Sequence, residues 1–141
     1  MIELNLPLPP TINSYWRATT KKPRQFGARM KSAQKPLSPI TVYISDKGQQ
    51  FRTDVIAAVL QARANKQLAG RLQVEMVVHP ADKRVQDIDN RIKAALDAMT
   101  HAGVYIDDSQ IDRLVVSRGE IIKGGQCLVV ISEVKPKDAQ L

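Results

Sequence analysis

Acidic residues are concentrated in one stretch of an otherwise basic chain. Seven of the fourteen acidic residues lie between Asp82 and Asp112, although the 141-residue chain has a formal net charge of +7. The stretch includes the close pair Asp87 and Asp89 and, further along, Asp108. Mg²⁺ takes oxygen ligands and usually binds one or two carboxylates together with phosphate oxygens of its substrate. A basic chain with gathered carboxylates therefore predicts a metal-dependent phosphodiesterase, whose basic surface binds a polyanion and whose acids bind the ion.

The same acidic residues also have structural interpretations. Asp87 lies where a helix is expected to begin, and its side chain could cap that helix or project from the loop beside it. Asp89, Lys93 and Asp97 are spaced four residues apart, so they could form an exposed ladder of ion pairs worth about 0.2–0.5 kcal/mol each. Asp108 lies in a turn of a composition that is common on surfaces. The spacing alone leaves open whether this turn reaches Asp87.

The basic charge is equally localised. Residues 10–40 contain seven basic residues and no acid, and without these seven the chain has fourteen basic and fourteen acidic residues. Such asymmetry indicates a polyanionic partner, and the lack of an amphipathic basic helix or a long apolar run favours nucleic acid over a membrane. The candidate DNA contacts are these seven and two residues that precede Asp87: Arg17, Lys21, Lys22, Arg24, Arg29, Lys31, Lys35, Lys83 and Arg84.

Two helices and several strands must position these residues. Ser45 is a suitable N-cap for a helix over residues 46–66, with one apolar face formed by Phe51, Val55, Val59 and Ala62. A second helix is expected to begin at Asp87 and to end near Gly103. Strands are predicted at residues 1–8, 41–44, 72–78, 111–122 and 126–134.

The remaining segments connect these elements. Residues 11–40 are expected to form a long loop, residues 123–125 a hairpin-like turn between the last two strands, and residues 135–141 a polar tail. The sum is a small α/β (α+β) domain that spans residues 1–141, with a mixed β-sheet and two main helices. The N-terminal sequence lacks the features of a secretory signal, and Cys127 is the single cysteine, so a cytoplasmic protein is expected.

These residues carry a resemblance to a known family. The run Asp87-Ile-Asp89-Asn90, followed by Lys93 and then by Asp107-Asp108-Ser-Gln110, resembles the signature of the RusA family of Holliday junction resolvases. Further similar segments are Pro9-Pro10-Thr-Ile-Asn13, Ser45-Asp-Lys-Gly48 with Phe51-Arg52, and Lys123-Gly-Gly125. The resemblance covers most of the chain except about residues 17–40. The chain departs from the pattern at Gln86, where a basic residue is expected.

The resemblance implies a site and a reaction. The family's catalytic carboxylates correspond to Asp87, Asp89 and Asp108, which would also bind the metal, and its catalytic lysine corresponds to Lys93. It implies a homodimeric endonuclease, bacterial or phage-encoded, that uses Mg²⁺ with Mn²⁺ as a substitute. Such an enzyme binds four-way DNA junctions and nicks two opposed strands symmetrically.

Other functions fit parts of the same sequence. A metal-dependent nuclease for flaps, replication forks or RNA would use identical carboxylates. A DNA-binding protein without catalysis would use the acids to neutralise basic neighbours, and an RNA-packaging protein would leave them without a role. Magnesium-dependent, symmetric cleavage of a branched DNA separates these alternatives.

Overall fold

The computed structural model describes residues 1–20 and 40–135, which form a mixed α+β fold. In chain order the elements are β1 (Ile2–Leu6), α1 (Ile12–Tyr15), β2 (Trp16–Thr20), β3 (Ile40–Ile44), α2 (Asp46–Gln61), β4 (Leu72–His79), α3 (Ile92–His101), a short 3-10 helix (Asp108–Gln110), β5 (Ile111–Arg118) and β6 (Gln126–Glu133). The predicted fold class, a mixed sheet with two main helices, is confirmed.

The main sheet has the order β1-β6-β4-β5. β6 pairs antiparallel with both β1 and β4, whereas β4 and β5 are parallel. The predicted hairpin between the last two strands is therefore wrong, because β4 lies between them. Residues 119–125 cross the end of β4 instead, where the Gly119 amide donates to the Val78 carbonyl (2.9 Å) and the Ile122 amide to Pro80 (2.9 Å).

The segment from residue 11 to residue 20 is also more ordered than predicted. It contains α1 and then β2, which pairs antiparallel with β3 in a second, two-stranded sheet. The Ser45 amide continues this contact by donating to the Tyr15 carbonyl at 2.9 Å. The expected long loop is therefore wrong for residues 12–20, while residues 21–39 lie outside the described part of the chain.

Helix α2 begins as the sequence predicts. The Ser45 hydroxyl accepts a hydrogen bond from the Gly48 amide at 3.0 Å, which satisfies one free amide of the first turn. Phe51, Val55 and Val59 are buried as expected. The helix ends at Gln61 rather than near residue 66, because the chain turns at Arg63 with a φ of 54°. The fourth predicted member of the apolar face, Ala62, is consequently exposed.

One hydrophobic core joins the sheet to the two helices. Its largest fully buried members include Leu6 of β1, Leu72 and Met76 of β4, Met99 of α3 and Ile131 of β6. Cys127 is buried in this core, and burial raises the pKa of its thiol to about 12, which agrees with a purely structural cysteine. Within residues 1–20 and 40–135 no helix combines the length and apolar character needed to cross a membrane.

Candidate active site

A lysine and an aspartate from the predicted site are in direct contact. Lys93 lies in the first turn of α3, and its Nζ is 2.8 Å from Oδ2 of Asp108. The hydrogen bond to Asp108 raises the pKa of Lys93, so the side chain is an ammonium at neutral pH. Both side chains are partly exposed to solvent. The structure thus brings together two residues that are fifteen positions apart in the sequence.

A buried glutamine fixes the turn that carries Asp108. The Gln110 side chain accepts hydrogen bonds from the amides of Ile106 (2.9 Å) and Asp107 (2.8 Å), and it donates to the carbonyls of Leu68 and Gly70 (2.8 Å each). Its full hydrogen-bonding capacity is therefore used inside the protein, and the turn is tied to the segment before β4.

Asp107 acts at the start of the same turn. It is the N-cap of the 3-10 helix and accepts from the Ser109 amide at 3.1 Å. Hydrogen bonds from Ser109 keep the pKa of Asp107 below its usual value. Asp107 therefore serves to form this turn.

Asp87 and Asp89 lie on the loop that leads from β4 into α3. Both are exposed. The expectation that α3 begins at Asp87 is wrong, since the helix begins at Ile92 and Asp87 cannot cap it. Just before the helix, the carbonyl of Asn90 accepts from the Ile12 amide of α1 at 2.9 Å, a contact with a segment that is distant in the sequence. Asp87 therefore projects from a loop, which was the alternative left open by the sequence.

The donor chemistry of the site suits a hard divalent cation. Asp87, Asp89 and Asp108 offer carboxylate oxygens, the ligands that Mg²⁺ prefers. Among residues 1–20 and 40–135, no three His, Cys, Asp or Glu side chains gather closely enough to be recognised as a metal-binding group. The structure therefore does not bring Asp87, Asp89 and Asp108 together as one metal-binding group.

Asp97, one helical turn beyond Lys93, belongs to a different cluster. Its Oδ2 accepts from Arg52 at 2.7 Å and from the Tyr15 hydroxyl, and Arg52 Nε also donates to that hydroxyl at 2.6 Å. The interpretation of an ion-pair ladder that includes Asp89, Lys93 and Asp97 is therefore wrong. Tyr15 is fully buried, so its ring packs inside the protein.

A groove of about 490 Å³ lies beside the loop that carries Asp87. Its lining includes Lys83 and Arg84, both exposed, and Arg118 from the end of β5. Arg84 forms an ion pair with Asp82 at 2.7 Å, which lowers the pKa of Asp82 to about 2. The two basic residues predicted near the site therefore lie on one surface with a third, Arg118.

The other candidate DNA contacts lie mostly outside the described residues. Arg17 is exposed on β2 and lines a smaller pocket of about 240 Å³. Six predicted contacts fall in the segment that the structure does not describe: Lys21, Lys22, Arg24, Arg29, Lys31 and Lys35.

Three residues that shape the site were missed by the sequence analysis. Gln110 could have been found, because a cap residue followed three positions later by glutamine is the pattern of a capping box, here formed with Asp107. No local sequence pattern indicated a role for Arg91 or Arg118. Their hydrogen bonds run to segments that are distant in the sequence, such as Pro9 and Gln86.

Comparison with known proteins supports a single family. Residues 8–131 match the model of the family described as Endodeoxyribonuclease RusA. Over 130 residues the chain is 34% identical to the crossover junction endodeoxyribonuclease rusA of Enterobacteria phage HK97, with 92% of each chain covered. It is 30% identical to RusA of Shigella sonnei (strain Ss046) and 29% identical to RusA of Escherichia coli (strain K12), each over 131 residues and 93% of each chain. The chain therefore belongs to the endodeoxyribonuclease RusA family.

Proposed function

We propose that this protein is a crossover junction endodeoxyribonuclease that binds four-way DNA junctions and resolves them by paired, symmetric nicks, with Mg²⁺ as its cofactor. The observation that carries the proposal is the contact between Lys93 and Asp108 at the start of α3. It joins an ammonium to a carboxylate directly after the loop that presents Asp87 and Asp89. The relatives named above bear the name of this activity.

The three carboxylates would hold the metal. Asp87 and Asp89 are exposed on a loop, and Asp108 lies on a turn that Gln110 holds, so under this proposal the loop would bring its two carboxylates to the ion bound at Asp108. A bound Mg²⁺ polarises a phosphate oxygen and lowers the pKa of a bound water. Mn²⁺, which accepts similar oxygen ligands, is expected to substitute.

Lys93 would act on the phosphate. Its ammonium is fixed beside Asp108 and is partly exposed, so it can approach a phosphate group from the solvent side. A positive charge fixed in advance at this position would offset negative charge that develops on the scissile phosphate in the transition state.

The basic residues would bind the DNA backbone. Lys83, Arg84 and Arg118 line a groove next to the loop of Asp87, where phosphates of a bound strand would lie near the carboxylates. Phosphate contacts dominate nucleic-acid affinity and carry little sequence information. This suits an enzyme that recognises the shape of a junction.

Cleavage of a synthetic four-way junction tests the proposal. We expect nicks in two opposed strands with Mg²⁺ and no cleavage without it, and little cleavage of a linear duplex of the same sequence. Asp89→Asn and Asp108→Asn should abolish cleavage, because each removes a metal ligand, and should leave junction binding intact or stronger, because each removes a negative charge.

A matched variant controls for the loss of charge. Asp54→Asn changes an exposed aspartate of α2 whose carboxylate accepts a local hydrogen bond from Gln50, and it should cleave like the wild type. Preferred cleavage of flaps or forks over four-way junctions would contradict the junction assignment. Parallel loss of binding and cleavage in Asp89→Asn and Asp108→Asn would contradict their role as metal ligands.

A further inference from the structure

Residues 86–90 of the loop, which include Asp87 and Asp89, are tied at both ends to distant parts of the fold. At its start, Arg118 of β5 donates to the Gln86 carbonyl at 2.6 Å. At its end, the Asn90 carbonyl accepts from the Ile12 amide at 2.9 Å. A segment without regular secondary structure would otherwise be free to move, and its two aspartates repel one another. These contacts therefore restrict where the two carboxylates can lie.

Arg91 spans this loop with a third set of contacts. Its Nε donates to Oε1 of Gln86 at 3.0 Å, and one terminal nitrogen donates to the Pro9 carbonyl at 2.5 Å. One planar group thus joins Gln86 to the segment after β1. Gln86, which stands where a basic residue is expected, serves as the acceptor in this contact.

The environment of Arg91 indicates a geometric role rather than an electrostatic one. The side chain is half-buried. Both acceptors are neutral oxygens, so the charge of Arg91 is not used to neutralise a carboxylate through these bonds. What the guanidinium supplies is a rigid fork with donors in fixed directions, which lysine cannot reproduce.

We propose that Arg91 is a positioning residue, which rests on the proposed function of the site: by bridging Gln86 and Pro9 it holds the loop so that Asp87 and Asp89 can bind one divalent cation together with Asp108. Residues that orient metal ligands without touching the metal commonly affect metal affinity or activity by about 10- to 100-fold. Arg91 would act in this way through the backbone of the loop.

The test measures the loop and the metal without DNA. In Arg91→Gln we expect faster amide hydrogen exchange in residues 86–91 and at least about tenfold weaker binding of Mn²⁺ by calorimetry. Arg91→Lys keeps the charge but not the fork, so it should resemble Arg91→Gln. Arg113→Gln, which removes the same charge from an exposed position of β5, should match the wild type in both measurements.

Changes of Gln86 examine the same contact from its other side. Gln86→Met keeps the length of the side chain and removes the acceptor, so it should weaken Mn²⁺ binding as Arg91→Gln does. Gln86→Glu keeps an acceptor for Arg91 and should retain most of the affinity. The double variant Arg91→Gln/Gln86→Met should bind Mn²⁺ little more weakly than Arg91→Gln alone, because Arg91→Gln already removes the hydrogen bond to Gln86.

The outcomes distinguish this proposal from the function on which it rests. Wild-type Mn²⁺ affinity and exchange in Arg91→Gln would overturn the positioning role, as would full recovery of both in Arg91→Lys. If Gln86→Met instead retained wild-type affinity, the contact would not be the route by which Arg91 acts. Failure of the wild-type protein to cleave junctions would contradict the proposed function, while the exchange and Mn²⁺ comparisons would still decide the role of Arg91.

Discussion

Lys93 and Asp97 show how helical spacing can suggest the wrong partners. They lie one turn apart on α3, a spacing that favours an ion pair. In the structure Lys93 contacts Asp108 instead, and Asp97 binds Arg52 and Tyr15. Residue types and local spacing predicted which side chains could do chemistry. They could not predict the partners, because those partners come from other elements and depend on the tertiary fold.

The role proposed for Lys93 can be tested by truncation. Lys93→Ala should lower the single-turnover rate of junction cleavage by on the order of 10²-fold, because it removes the positive charge that we propose acts on the scissile phosphate. Lys93→Arg should restore only part of this loss, since a guanidinium has a different shape. The pKa of Lys93 is raised by its bond to Asp108, so the loss should be the same throughout the neutral pH range.

Stability measurements accompany this test. The Lys93 side chain is about half exposed, so its truncation should leave the unfolding midpoint nearly unchanged. A near-normal cleavage rate in Lys93→Ala would show that Lys93 forms a surface ion pair and has no catalytic role.

At the level of elements, some helix ends could be predicted from local signals, whereas the start of α3, the end of α2 and the pairing of the last strands could not. Ser45 and Gly103 correctly marked helix ends, since capping depends on residues within one turn. The alternation of apolar and polar residues predicted β4 correctly, because this pattern also depends only on residues that are close in the sequence. The prediction of a hairpin near residue 124 was wrong, because strand order depends on which faces pack together. The glycine turn there belongs to the segment that crosses from β5 to β6 past the end of β4.

A substitution of Gly48 tests how closely the first half of the chain packs around α2. A Cβ at this position would lie 2.6 Å from Cγ2 of Ile44 and 2.7 Å from the carbonyl oxygen of Tyr15. Alanine favours a helix over glycine by about 1 kcal/mol, but overpacking typically costs about 1–3 kcal/mol, and a backbone oxygen cannot easily move aside. We therefore expect Gly48→Ala to lower the free energy of unfolding in urea.

Gly70 provides the matched comparison. A Cβ there would meet no atom within 4 Å, so Gly70→Ala should leave the free energy of unfolding unchanged or raise it slightly. Equal or greater stability of Gly48→Ala relative to the wild type would contradict the close contact between α1, β3 and α2.

For the whole molecule, charge is the property that the sequence describes best. All of the net charge resides in the seven basic residues between Arg17 and Lys35. Replacing them with glutamine should weaken junction binding and flatten its dependence on salt, by roughly 0.9 in the log–log slope for each DNA phosphate that the variant no longer neutralises. Binding should be measured on an Asp108→Asn background, so that the junction stays intact. An unchanged slope would show that this segment does not contact DNA.

Symmetry is the second property of the whole molecule. A four-way junction has two equivalent scissile positions related by a two-fold axis, and one chain carries a single set of Asp87, Asp89, Lys93 and Asp108. A two-fold homodimer provides two sets with one repeated interface. We therefore expect a dimer in solution in which both sets open onto the bound junction.

Cleavage of a supercoiled plasmid with an extruded cruciform tests the central claim most directly. Two nicks made within the lifetime of one complex convert the supercoiled plasmid to linear DNA, whereas single nicks give open circles. We predict linear product with the wild type, and open circles when wild-type subunits are mixed with an excess of Asp108→Asn subunits. Accumulation of open circles with the wild type alone, or linear product from the mixed dimers, would contradict resolution by paired nicks.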